Sequence, residues 1–398
     1  MRLKAAFLVT RDGDGNIGIG DSIVITFDDY DEDNGRKKCI VIDGGYSQTA
    51  KVLKSYLKGE GIDTIDLVVA THIDDDHING LRAFFKDYVE EEGIIKVSNY
   101  WGPAPKSYEP VTVTEFLAFL PEATELGIDE LSFVSQSVGN NEKLWESAKR
   151  CVGEDHIWHP SFEARARLPE LFRSVKIEIL GPDKQVPSAE LETAGAAAQG
   201  LGEAFLADEV IDLDDEGLRG KIIAAAKEND RTANNQSIVF RLTPRDRSGQ
   251  EIPESSFLFP GDAEIESWTD MIARSRGLLK ARYLKVSHHG SNTGTNNAVL
   301  DAVQPEYGIV CAGKNNHGLP DHSVFKLLQG RNVKIICTGR NPNTGDIACA
   351  DGAFEGHCPR RNTSNGSDIK TPVVFEIDTN LLPGAPSPAV SACGNNWQ

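Results

Sequence analysis

The twelve residues Ala70-Thr71-His72-Ile73-Asp74-Asp75-Asp76-His77-Ile78-Asn79-Gly80-Leu81 bring two imidazoles and three carboxylates together. An apolar run, Ile65 to Thr71, reads as a strand that delivers them into a loop, and a helix begins near Ile78. In an extended loop His72, Asp74 and Asp76 alternate and can point to one side, while His77 adds a ligand at the helix start. Without a cation, carboxylates at this density repel one another. With one or two divalent metals they form a mixed N/O site that suits Zn²⁺ or Mn²⁺. The plain alternative is an acidic cap on a solvated helix. Two histidines behind an apolar strand argue against it.

His-x-Asp-x-Asp-His resembles the metal motif of the metallo-β-lactamase superfamily, in the variant with Asp at the second position. That variant is typical of the nuclease domain of ComEC-type DNA-uptake proteins. Further blocks are similar in order: Gly18-Ile19-Gly20-Asp21-Ser22, Ile42-Asp43-Gly44-Gly45, Asn234-Asn235-Gln236-Ser237, Pro260-Gly261-Asp262, Ser287-His288-His289-Gly290-Ser291 and Gly313-Lys314-Asn315-Asn316. They run from residue 18 to about 320. The resemblance implies an α/β architecture, an αββα sandwich with surface insertions, and a dinuclear site between its halves. Two departures stand out. Only His156 and His159 occupy the interval where the superfamily places a third histidine, and their aromatic surroundings favour surface or packing roles over ligation. After the Asn loop the chain has His317-Gly318-Leu319-Pro320, so Leu319 stands where the ComEC-type pattern has histidine.

Each matched residue has a chemical use. Asp262 follows the apolar stretch 256–260 and is placed to bridge two cations. His288 ends the strand 282–287 and completes the second site, with His289 as its substitute. The expected metal set is therefore His72, Asp74, Asp76, His77, Asp262 and His288. His317 or His289 can protonate a leaving group. Asp43 is placed to orient a ligating histidine, Asn235 to contact metal or phosphoryl oxygen, and Ser291 and Lys285 to contact substrate. Two Zn or Mn ions held this way would activate water for attack on phosphorus. The expected function is a metal-dependent phosphodiesterase acting on DNA or RNA. A lactonase, thioesterase or β-lactamase on the same fold is the first alternative. An effector or binding module controlled by a regulatory protein partner is the second.

Strands are expected at 5–9, 22–27, 38–43, 65–71, 174–180, 236–242, 256–260, 282–287, 307–311, 333–338 and 372–377, with helices after Ser47 and at 264–278. They suggest two sheets between helices, in one domain of residues 1–378, followed by a flexible tail, 379–398. Residues 183–231 hold 12 acids and 5 bases and read as a surface insertion. Asp12-Gly13-Asp14-Gly15-Asn16 looks like the start of a calcium loop, but Ile17 and Ile23 stand where that loop needs Gly and Glu. Cys349 with His357-Cys358 offers too few ligands for a structural zinc.

The chain has 398 residues, with 41 Lys+Arg against 60 Asp+Glu, a formal charge of −19. That balance excludes a non-specific nucleic-acid coat or a basic membrane-surface protein, but not an enzyme whose acids hold cations. Much of the acidity falls in 183–231 and 28–33, while Lys280, Arg282, Lys285 and Lys314 lie near the motifs. No apolar run approaches a membrane span. Seven scattered cysteines fit a reducing cytoplasm better than a disulfide framework.

Overall fold

Alternate side chains of the strands go to different cores, and this period of two sets the architecture. The computed structural model describes residues 1–29, 36–104, 129–184, 233–339, 372–378 and 390–392. Its strands are β1 (Arg2–Phe7), β2 (Ile23–Asp28), β3 (Lys37–Ile42), β4 (Thr64–Ile65), β5 (Leu67–Val69), β6 (Lys96–Val97), β7 (Tyr100–Trp101) and β8 (Ile157–Trp158). The second half adds β9 (Val175–Gly181), β10 (Val239–Pro244), β11 (Phe257–Phe259), β12 (Tyr283–Lys285), β13 (Tyr307–Val310), β14 (Lys334–Cys337), β15 (Val373–Asp378) and β16 (Val390–Ala392). One sheet has the order β16-β15-β1-β2-β3-β5-β7-β8, the other β14-β13-β12-β11-β10-β9, and β4 and β6 form a small separate pair.

Phe7, Ile25, Ile40, Val69, Phe240, Phe259, Tyr283 and Ile309 share one buried core, so the inner faces of the two sheets pack on each other. Full burial of each such side chain contributes about 1.5–3 kcal/mol. The neighbouring positions Ala6, Val24, Val41 and Val68 point to the opposite face of the first sheet. There they meet Leu53 and Leu57 of α1 (Thr49–Gly59) and Ile78, Leu81 and Phe84 of α2 (Asp75–Phe84). A third helix, α3 (Asp129–Val152), also covers this side through Leu144 and Ala148. On the second sheet Val239, Leu258, Leu284 and Val310 face α4 (Ile265–Ser275), α5 (Asn297–Val303) and α6 (His322–Gly330) through Trp268, Leu300 and Phe325. The layers are helix, sheet, sheet, helix, as expected.

Several details differ from the expectation. The run 65–71 is two strands in two sheets, because Asp66 between them turns inward and accepts from the Cys39 backbone N–H and the Arg36 guanidinium. Helix α2 begins at Asp75, three residues early, with Asp74 extended as its N-cap. Asp75 and Asp76 in its first turn suit the positive end of the helix. The cap of α1 is Gln48, not Ser47. Asp12 accepts the backbone N–H groups of Asp14 and Asn16, so the calcium-like stretch is a turn. Most of 183–231, the tail apart from 390–392, and the Cys349/His357/Cys358 group lie outside the described residues. Among the described residues no helix is long and apolar enough to cross a membrane, and Cys39, Cys151, Cys311 and Cys337 are free thiols.

Candidate metal centre

Both sheets send the C-terminal ends of parallel strands to one place. The pairs β3–β5 and β11–β12–β13 are parallel, and the crevice outside such strand ends is where open α/β sheets bind ligands. Asp43 follows β3, His72 to His77 follow β5, Asp262 follows β11, and His288 and His289 follow β12. The turn after β3 fits against α2 only because Gly44 and Gly80 lack side chains. The Gly44 N–H donates to the His77 carbonyl at 2.7 Å, and the Gly80 N–H to the Gly45 carbonyl at 2.6 Å. A Cβ on Gly80 would stand 1.8 Å from the Gly44 oxygen.

Three histidines are held by Nδ1, which leaves Nε2 for the centre. His77 Nδ1 donates to Asp43 Oδ2 at 2.8 Å. Asp43, fully buried, also accepts from the Thr71 N–H and the Thr71 hydroxyl, each at 2.7 Å. The Thr71 hydroxyl has spent its only proton on Asp43, so it accepts from His72 Nδ1 at 3.0 Å. His289 Nδ1 donates to the Cys311 carbonyl at 3.1 Å. A carboxylate, a hydroxyl or a carbonyl behind each ring fixes the tautomer that metal ligation requires.

The free nitrogens converge with carboxylates. His289 Nε2 is 3.0 Å from Asp262 Oδ2, 3.1 Å from Asp76 Oδ2 and 3.2 Å from His77 Nε2. His77 Nε2 is 3.4 Å from Asp262 Oδ2 and 3.9 Å from Asp76 Oδ2. Four tetrahedral ligands at bond lengths of about 2.0–2.2 Å stand roughly 3.3–3.6 Å apart, a span that these separations of 3.0 to 3.9 Å bracket. Beside it, the buried His72 Nε2 lacks a hydrogen-bond partner among the described residues and lies 3.5 Å from Asp74 Oδ2. Ligand atoms of His72, His77 and Asp262 lie within 4.8 Å of one another. The donors therefore fit divalent metal binding, and the two sets overlap at His77 and Asp262.

Without an ion, protons take the cations' place. Burial lowers His289, but Asp262 and Asp76 outweigh it and raise the ring to about 9. Burial likewise opposes charge on His77, while Asp262, Asp76, Asp43 and Asp21 hold it well above the usual range. Burial would raise Asp76 and Asp262, yet the neighbouring imidazoles, with Lys285 for Asp262, hold both below the ordinary carboxylate range.

Other candidates are placed differently. His288 and His289 both have left-handed backbone, with φ of 48° and 51°, and their rings diverge. His288 Nδ1 faces Glu264 Oε1 at 3.4 Å and the Thr293 hydroxyl at 3.3 Å, so His289 and not His288 stands among the donors. With Nδ1 spent on Cys311 and Nε2 inside the cluster, His289 is not set to protonate a leaving group. Asn235 accepts from the Glu264 and Ser267 N–H groups and caps α4 instead of facing the centre. The Ser291 hydroxyl pairs with Thr293. Lys285 is fully buried against Asp21, Asp262 and Gly261 and cannot reach a substrate. His317 is exposed on a loop that Asn315 braces through Gly313, His317 and Leu319. His156 is exposed beside Asn99, and His159 is bound to the Gly102 carbonyl. Sequence reasoning missed Asp21, which is 1% exposed and lies 3.5 Å from His289 Nδ1. The signal was an acid enclosed by apolar residues between two strands.

Residues 17–140 match the family model described as Metallo-beta-lactamase superfamily. Over 109 residues the chain is 32% identical to ComE operon protein 3 of Bacillus subtilis, which covers 27% of this chain and 13% of that protein. Over 85 residues it is 28% identical to the competence protein ComA of Neisseria gonorrhoeae, covering 21% of this chain and 12% of that protein. The alignments thus span about one eighth of these relatives' length. A long form RNase Z from yeast is similar in structure at 11% identity and a TM-score of 0.37, over 85% of this chain and 40% of that one. Residues 17–140 thus carry the sequence signature of the metallo-β-lactamase superfamily, in a chain layered helix, sheet, sheet, helix, and part of the chain is similar to ComEC-type competence proteins.

Proposed function

We propose that this chain is a metal-dependent phosphodiesterase, with DNA or RNA as its substrate class. One observation carries the metal requirement. Three buried imidazoles, each committed through Nδ1, turn Nε2 toward the space that Asp74, Asp76 and Asp262 also face. We assign His72, Asp74, Asp76, His77, Asp262 and His289 as the residues that hold two divalent cations, Zn or Mn. Such cations supply Lewis acidity, polarising a phosphoryl oxygen and activating water at neutral pH. The chain's own work is orientation. Asp43 fixes His77 directly and His72 through Thr71, and the Cys311 carbonyl fixes His289.

Support for phosphate chemistry comes from the donor set and the relatives. Asp74 in place of an imidazole makes the site richer in carboxylate, which suits oxygen-preferring cations. Two divalent cations together with Lys285 would offset Asp21, Asp43, Asp74, Asp76 and Asp262, so the chain's overall acidity need not extend to the site that meets an anionic ester. ComEC-type competence proteins are the relatives on which the nucleic-acid reading rests. A panel of bis(p-nitrophenyl) phosphate, single-stranded DNA, RNA, a lactone, a thioester and a β-lactam, each with Mn²⁺ and with Zn²⁺, tests it. Turnover confined to the phosphodiesters is expected. Turnover of the lactone, thioester or β-lactam alone would move the chain to the other hydrolases of this fold.

A further inference from the structure

Lys285 is the one buried cation in contact with the proposed metal ligands among the described residues, and 1% of it is exposed. Its Nζ lies 2.6 Å from Asp21 Oδ2, 2.9 Å from Asp262 Oδ1 and 2.9 Å from the Gly261 carbonyl. An ammonium has three N–H donors and no acceptor, so these oxygens use it completely. Gly261 and Asp262 follow β11, which pairs with Lys285's strand β12 in the same sheet. Asp21 comes from the loop between β1 and β2, across the crevice, where its backbone N–H donates to the Asp76 carbonyl at 3.2 Å. The two oxygens of Asp262 are therefore divided. Oδ1 is taken by the ammonium, and Oδ2 faces His77 at 3.4 Å and His289 at 3.0 Å.

We propose that Lys285, anchored by Asp21, restricts Asp262 to a single oxygen at the metal centre and so sets which cation the site prefers. This rests on the metal reading above and deepens it. A carboxylate confined to one oxygen favours an ion content with few ligands, as Zn²⁺ is in tetrahedral sites. Ions that take six or more oxygens gain when a carboxylate can offer both. Lys285 and Asp21 are positioning residues: Lys285 holds the ligand Asp262, and Asp21 holds Lys285. Their arrangement also explains how a buried lysine is tolerated beside the proposed ligands. Its charge is met by Asp21 and by the half of Asp262 that points away from the centre.

The test compares the full chain with Lys285→Met, which keeps an unbranched apolar stem and frees Oδ1. A second variant, Asp21→Asn with Lys285→Met, frees the same oxygen while removing both members of the ion pair. It thus answers the question if the single change leaves Asp21 too poorly compensated to fold. Dissociation constants for Zn²⁺ and for Mn²⁺ are measured separately on chelator-stripped protein. The expected result is a fall of about tenfold or more in the ratio Kd(Mn)/Kd(Zn) in either folded variant, the scale of changes behind a ligand. A merely structural role would weaken both cations alike and leave the ratio within about threefold of the parent, and that would overturn the proposal. Parent protein that binds neither cation would instead overturn the metal reading itself, so the two failures are distinct.

Discussion

Asp43 and His77, 34 positions apart in sequence, are joined by a 2.8 Å hydrogen bond, and Thr71 extends the same carboxylate's hold to His72. One side chain thus sets the tautomer of two histidines. Asp43→Asn puts an amide where three donors converge. It is expected to cost about 1–3 kcal/mol in stability, because a buried donor loses its acceptor. Metal affinity should fall about 10–100-fold. Denaturant unfolding of the metal-free chain and metal titration check the two effects separately.

Adjacent histidines should behave as opposites. His289→Ala removes a nitrogen that lies within 3.2 Å of three other donors, so metal content should drop by one ion per chain. His288→Ala removes contacts to Glu264 and Thr293, which lie outside the donor set, and the metal content should stay at the parental value. Elemental analysis of the two purified variants decides which histidine faces the cation.

The contact between Gly44 and Gly80 is a packing prediction independent of metal. Gly80→Ala would place a carbon 1.8 Å from a backbone oxygen, and backbone cannot swing away as a side chain can. A loss of about 3 kcal/mol or more is expected, at the upper end for overpacking. Gly61→Ala is a useful contrast. That site has open space around it, so only the strain of its φ of 69° applies, costing roughly 1–2 kcal/mol. Thermal or chemical unfolding measures both.

In the metal-free chain, stability should form a plateau bounded on both sides. His289 is raised from 6.5 to about 9 when folded, so its contribution is complete below 6.5 and is lost as pH rises through about 9. Asp76 and Asp262 are depressed when folded, so theirs is complete above their ordinary 3.8 and is lost as pH falls below it. Bound cations replace the protons, so metal should remove the alkaline loss and steepen the acid one. Urea midpoints across pH 3 to 10, with and without metal, read this directly.

Much of the layout was legible in the chain. Alternation in runs such as Ile23 to Phe27 and Ile40 to Ile42 fixes which face each residue shows, and the two cores follow from it. The cluster from His72 to His77 was legible because its residue types have no cheap use together without a cation. Contacts that join distant segments were not. Nothing local tells that Lys285 meets Asp21 or that Asn235 caps α4. His288 and His289 are the same residue side by side, and only left-handed backbone at both positions decides which ring enters the centre. The run 65–71 reads as one strand, yet Asp66 divides it through tertiary bonds that propensity does not carry.

Asp262 is common to both groups of donors, so its removal tests the central claim most directly. Asp262→Ala should be assayed on bis(p-nitrophenyl) phosphate and on single-stranded DNA with saturating Mn²⁺ or Zn²⁺, beside the parent protein. The expected result is loss of hydrolysis by roughly 10²-fold or more, since losing a shared ligand must exceed the loss of a residue behind one. Parental rates of phosphodiester hydrolysis in folded Asp262→Ala protein would contradict the account.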